Sequence, residues 1–211
     1  MTNETSEING LLHRAAAGDQ NALAEAFGCF RGRLKRMVQL RLDRRLQGRV
    51  DPSDVLQEAY LDLARRAADY LTHPSLPFFL WLRLLTGQRL LAIHRQHLGA
   101  KMRAIGKEAH QGHGAMPQAT SASLAAQLLG RLSTPSQAAM RAEMQLRLQE
   151  ALNSMDAIDR EVLVLRHFEE LSNDEAAEVL GLQKSAASNR YVRALKRLRS
   201  ILKSMPGFSE S

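Results

Sequence analysis

Residues 171–202 read LSNDEAAEVLGLQKSAASNRYVRALKRLRSIL, a pattern of a short helix, a tight turn and a longer helix. Ser172 and Glu175 have the spacing of a capping box, in which each side chain accepts a bond from the other residue's backbone N–H. Ala176, Ala177, Val179 and Leu180 form the apolar side of the first helix, the alanines allowing close helix approach, and Gly181 supplies the turn. On a wheel of about 100° per residue, Ala187, Tyr191, Ala194, Leu195, Leu198, Ile201 and Leu202 fall on one side of the second helix. Ser185, Asn189, Val192, Arg193, Lys196, Arg199 and Lys203 fall opposite. A helix that packs by its back and enters a DNA major groove by its front needs this division. Asn and Arg suit bidentate contacts to base edges, while Lys and Ser suit phosphates. The plainer reading is a solvated face whose cations favour the helix dipole. Residues 184–203 hold seven cations and no acid, however, and a merely solvated helix interleaves glutamates.

The rest of the chain agrees with a helical, anion-seeking protein. Its 211 residues suffice for one or two small domains. A hydrophobic content of 45% with only 5% aromatics is helix-forming composition. A formal charge of +7 favours a polyanion such as nucleic acid, although an anionic membrane surface would satisfy the same charge. Cys29 is the single cysteine, so no intrachain disulfide can form and a reducing compartment is expected. Its place in a helical pattern suggests a buried rather than a reactive thiol. The polar, acidic start MTNETSEING has no apolar signal core, and no stretch reaches spanning length. A cytoplasmic protein is expected.

Three segments follow. From Ile8 to about Arg103 apolar residues recur at helical spacing. Asp51 caps a helix with Pro52 at its first position and Asp54 near its third, and LTHPSLP (71–77) breaks that helix before FFLWLRLLTGQRLLAIHRQHL resumes. Residues 104–134 read as a flexible linker with room for one short helix. From Pro135 the helical period returns, punctuated by Asp156, Ser172 and Gly181. Phe78, Phe79 and Trp81 are expected in a core. His94 and His97 share a helix face and His110 and His113 lie in the linker, but no carboxylate or thiolate set accompanies them, so neither a metal nor another cofactor is expected. No Walker loop, dinucleotide fingerprint or nucleophile elbow is present, and no enzyme is expected.

Residues 140–203, above all LNSMDAIDREVLVLRHFEELSNDEAAEVLGL and RYVRALKRLRSIL, resemble region 4 of bacterial RNA polymerase sigma factors of the sigma-70 family, extracytoplasmic-function group. DPSDVLQEAYLDLARR resembles region 2.2, and FFLWLRLLTGQRLLAIHRQ resembles regions 2.3 and 2.4. The resemblance implies an all-α fold of two small helical domains joined by a flexible linker, with region 2 at 1–103, the linker at 104–134 and a helix-turn-helix region 4 at 135–211. It implies a transcription initiation factor that binds core RNA polymerase through the β′ clamp helices and β flap and directs it to promoters. Asp54, Gln57, Glu58 and Leu61 match the surface that docks on the clamp helices. The loop from Asp69 to Pro77 with Trp81 matches the element that captures an unpaired −10 base, giving Tyr70, His73, Ser75 and Trp81 as candidates. Arg83, Arg89 and Arg95, with Lys101 and Arg103 beyond, would track the single strand. For the −35 duplex the candidates are Lys184, Ser185, Ser188, Asn189, Arg190, Val192, Arg193 and Lys196. Gln183 stands where the family commonly has a small or hydroxyl residue, so the recognition helix lacks that cap. An anti-sigma factor is a further implied partner. A stand-alone helix-turn-helix regulator and a basic amphipathic membrane-surface protein are the alternatives. The short polar residues Ser185, Ser188 and Asn189 argue against the membrane.

Overall fold

The computed structural model describes residues 2–98, 116–132 and 138–204. Lys101, Arg103, His110 and His113 lie outside the described residues. Among those described there are nine α-helices and no strand: α1 (Thr2–Ala16), α2 (Gln20–Arg41), α3 (Pro52–Thr72), α4 (Phe78–Leu98), α5 (Ser121–Leu132), α6 (Ala138–Asn153), α7 (Ala157–Leu163), α8 (Asn173–Leu180) and α9 (Lys184–Lys203). A single 3₁₀ turn, Arg44–Leu46, follows α2, and a π turn, Val164–Phe168, continues α7. The helices form two compact units, one of residues 1–38 with 42–117 and one of residues 118–211 with 39–41.

In the first unit α4 is the central element. Its buried residues run almost without interruption from Phe78 to Thr86 and on to Leu90, Ile93 and His94, the mark of a helix covered on several sides. Pro77 stops the preceding chain, and α4 begins at once with Trp81 N–H bonded to the Pro77 carbonyl. An aromatic cluster ties its start to its neighbours. Phe30 of α2 lies 5.1 Å from Phe79, and Tyr70 of α3 stacks on Trp81 at 4.1 Å with planes 10° apart. Phe78 and Phe79, like Trp81, are buried as expected. Thr86, buried in mid-helix, donates its hydroxyl proton to the Leu82 carbonyl, which removes the cost of an unpaired hydroxyl. His94 is a core histidine: Nε2 accepts from the Asp43 backbone N–H at 3.3 Å, while Nδ1 has no partner. His97 is exposed, and no group of metal-ligating side chains forms among the described residues.

One expectation fails here. Cys29 is exposed, not buried. The buried stripe of α2 runs through Ala22, Ala26, Phe27, Phe30, Leu34, Met37 and Val38, and Cys29 falls just outside it on the helix wheel.

In the second unit α5 packs on α6, and α9 packs on α7 and α8. The shared core includes Leu124, Leu129, Leu148, Leu152, Met155, Leu163, Val164, Phe168 and Ala194. The α5 helix occupies the C-terminal part of the stretch 104–134. Thr120 starts it by a reciprocal cap: the Ser123 N–H donates to the Thr120 hydroxyl, and the Thr120 N–H donates to the Ser123 hydroxyl, both at 3.1 Å. Asp156 caps α7 by accepting from the Ile158 N–H at 2.8 Å. No helix among the described residues is long and apolar enough to cross a membrane.

Candidate nucleic-acid interface

The α8–turn–α9 unit is locally determined. The Ser172 hydroxyl accepts from the Glu175 N–H at 3.1 Å and the Glu175 carboxylate accepts from the Ser172 N–H at 2.7 Å, completing the capping box. Gly181 ends α8 at φ +63, a left-handed conformation that costs an L side chain roughly 1 kcal/mol. Gln183 starts α9 without a side-chain cap. Instead Asn173 Nδ2 donates to the Lys184 carbonyl at 3.0 Å and fixes the turn against the helix start. Ala176, Ala177, Ala187 and Ala194 are buried. Small residues at Ala176, Ala177 and Ala187 suit a close approach of α8 and α9, Ala194 lies in the core with Leu148, Leu152 and Leu163, and Val179 and Leu180 are half-buried.

The front of α9 is exposed as the wheel requires: Ser185, Ser188, Asn189, Val192, Arg193, Lys196, Arg199 and Lys203 all face solvent. Val192, 47% exposed, is the apolar centre of that face. Lys184, Arg190 and Arg193 are held by carboxylates within the unit, which the absence of acids in α9 itself did not foretell. Lys184 pairs with Asp174 at 2.6 Å. Asp159 of α7 takes Arg190 at 2.8 Å and both the Nε (3.0 Å) and Nη2 (3.1 Å) of Arg193. Burial pushes the Asp159 carboxyl up, but its bonds to Arg193 and Arg190 outweigh this and leave it below the usual carboxylate range. Lys196 forms no salt bridge among the described residues. Tyr191, at the back, is held by its hydroxyl to His167 Nε2 at 3.0 Å.

In the first unit Asp54, Gln57, Glu58 and Leu61 lie exposed on one face of α3. Leu61 is 53% exposed, an apolar side chain with Glu58 one turn and Asp54 two turns before it. Glu58 Oε2 lies 3.3 Å from Arg89 Nη1, and Arg89 Nη2 pairs more tightly with Asp62 at 2.5 Å. Arg89 therefore meets carboxylates of α3 in this structure. Arg83 is buried and Arg95 exposed. Between the end of α3 and the start of α4 an open cavity of about 510 Å³ is lined by Arg66, Asp69, Tyr70, Thr72, His73, Ser75 and Trp81. Four of those residues, Tyr70, His73, Ser75 and Trp81, are the −10 candidates, while Arg66 and Thr72 are additions that their exposed helical positions did not single out. Tyr70 and Trp81 offer edges, since their faces are stacked on each other. The Tyr70 hydroxyl donates to the Leu76 carbonyl at 2.8 Å and ties the loop to α3, and burial raises its pKa.

This assembly of exposed cations, short polar groups and a hydrogen-bonding cavity suits binding, and the comparisons agree. Residues 145–198 match the family model "Sigma-70, region 4". The chain is 27% identical over 199 residues to the ECF RNA polymerase sigma factor SigD of Mycobacterium bovis, covering 94% of this chain and 85% of that one. SigD of Mycobacterium tuberculosis matches to the same extent. Among solved structures, CnrH in complex with the cytosolic domain of CnrY shares the fold with a TM-score of 0.51 and 22% identity, over 94% of this chain and 98% of that one. The capped helix-turn-helix, the family match over it and the similarity along nearly the whole chain agree: residues 145–198 carry a sigma-70 region 4, and the chain as a whole is similar to RNA polymerase sigma factors of the extracytoplasmic-function group.

Proposed function

We propose that the protein is a transcription initiation factor that binds core RNA polymerase and directs it to particular promoters, its second unit reading the −35 duplex and its first unit docking on polymerase and holding the opened −10 element. The observation that carries this reading is the helix-turn-helix at 172–203, matched to sigma region 4, with the front of α9 fully exposed. Asn189 near the start of α9 reaches a base edge, Ser185 and Ser188 meet phosphates, Val192 meets a thymine methyl, and Lys184, Arg190, Arg193 and Lys196 meet phosphate or guanine. Asp54, Gln57, Glu58 and Leu61 dock on the β′ clamp helices, combining acids with one exposed leucine. The cavity at Tyr70, His73, Ser75 and Trp81 takes an unpaired base, with Arg95 exposed along the outgoing strand. The β flap and an anti-sigma factor are further partners on the family resemblance.

Binding to labelled promoter duplex, with and without core polymerase, tests the reading. The chain alone is expected to bind weakly, to lose binding steeply between about 50 and about 200 mM salt, and to gain sequence selectivity only with core enzyme. Tight selective binding by the chain alone, unaffected by polymerase, would overturn it in favour of a stand-alone regulator.

A further inference from the structure

A second cationic surface lies outside every element assigned above. Residues 31–49, RGRLKRMVQLRLDRRLQGR, contain eight cations and one acid, Asp43, an excess as large as the formal +7 of the whole chain. Arg31 and Lys35 are exposed on α2 one turn apart, where their Cβ atoms are neighbours at about 5 to 6 Å. Arg44 and Arg49 are exposed in the segment that follows. These four cations form no salt bridge among the described residues, in contrast to Lys184, Arg190 and Arg193 of α9. Arg45 is taken up by Asp43 at 2.9 Å, and Arg41 is buried in ion pairs with Glu161 and Glu169.

The segment is ordered to present this charge. Leu46, 2% exposed, anchors it. The N–H groups of Leu46, Gln47, Arg49 and Val50 all find carbonyl acceptors within 3.2 Å. Gly48 turns the chain at φ +84. The Lys35 ammonium helps to hold the carboxyl of Asp51, the cap of α3, below its ordinary pKa, after the Ser53 bonds. At its other end the stripe adjoins the aromatic cluster, since Phe30 packs on Phe79 and the Arg33 guanidinium lies 3.6 Å over the Phe79 ring.

We infer that Arg31, Lys35, Arg44 and Arg49 form a phosphate-binding surface for duplex DNA, separate from the recognition helix and from the single-strand path. Exposed cations that no salt bridge neutralises favour a polyanion, and the proposed surface meets the duplex through its phosphates alone. It therefore adds affinity without sequence preference. The choice of duplex DNA over an acidic protein rests on the function proposed above.

The test measures the salt dependence of the purified full chain binding a duplex of arbitrary sequence. Arg31→Gln, Lys35→Gln, Arg44→Gln and Arg49→Gln are combined, and the two pairs are also made separately so that each carries about half of the change. With four phosphate contacts removed, the slope of log affinity against log salt should fall by about 3 to 4, so that a fourfold rise in salt costs the unmodified chain roughly 100-fold more affinity than the variant. Arg65→Gln with Arg147→Gln, which removes two exposed cations already held by carboxylates, should leave the slope unchanged. An unchanged slope in the fourfold variant would overturn the inference, as would an equal fall in the control. Loss of core polymerase binding with the slope intact would assign the surface to an acidic protein and overturn it too. None of these outcomes depends on promoter selection, so a failure of the proposed function would be seen separately.

Discussion

Replacing Trp81 by alanine separates a structural from a DNA-contacting role for its ring. The ring is 8% exposed, stacked on Tyr70 at 4.1 Å and within 6.2 Å of Phe78. Truncating a buried Trp costs about 3 to 5 kcal/mol, of which the stack is about 0.5 to 1.5 kcal/mol. The open cavity against Trp81 lets water enter the space left behind, which places the cost near the lower end. A unit of about 100 residues has an unfolding entropy near 0.2 kcal/mol/K, so a loss of about 3 kcal/mol lowers its melting temperature by roughly 15 °C. Trp81 is the single tryptophan, so the emission of the unmodified protein reports directly on its burial, and circular dichroism melting follows the variant. Trp81→Phe, which keeps a ring against Tyr70, should recover most of the loss. A Trp81→Ala protein that melts within a few degrees of the unmodified chain, yet fails to open promoters, would refute the core assignment and make the ring a DNA contact.

Charge reversal of Asp54 and Glu58 together should abolish co-purification with core polymerase while leaving the helical dichroism signal intact, because both are exposed; unchanged co-purification would remove α3 as the docking face. Asp159→Asn should release Arg190 and Arg193 from their carboxylate and steepen the salt dependence of non-specific duplex binding by about 1 to 2 units, and a shallower or unchanged slope would show that both arginines already bind phosphate. His94 gives a pH effect of known sign: burial, with a contribution from Arg45 and partly offset by Asp43, holds its folded pKa below the ordinary 6.5. The unfolded chain therefore takes up a proton that the folded one resists, so stability is complete above that value and falls as pH drops below it. Urea unfolding should show a less stable first unit at about pH 5.5 than at about pH 7.5, and His94→Gln should flatten the difference; equal stability of the unmodified chain at both would contradict the burial.

The helix-turn-helix was legible because its determinants are local. Ser172, Glu175 and Gly181 lie within ten residues, and one wheel sorts α9 into the alanine-and-leucine back and the polar front that the structure shows. Asp51 and Pro52 announced α3 for the same reason, since the Asp51 carboxylate accepts from the Ser53 N–H at 2.6 Å. Long-range pairing was illegible. Asp159 lies 34 residues from Arg193, and Asp62 lies 27 from Arg89, and only packing brings either carboxylate to its arginine. Arg83 shows the same limit: its burial follows from helices covering α4 on several sides, which no spacing within α4 records. The short helix for which the stretch 104–134 has room is α5, and its Thr120–Ser123 cap carries serine where a capping box has glutamate or glutamine. Residues 31–49 carry apolar residues at helical spacing, and that spacing does not record which of their cations stay unpaired.

Run-off transcription from a matched promoter, with purified core polymerase and the start site mapped, shows whether this chain directs initiation. The expected result is a transcript from one start that requires this protein and disappears when either the −35 or the −10 element is scrambled. A transcript that forms equally with core polymerase alone, or one that survives scrambling of both elements, would contradict it.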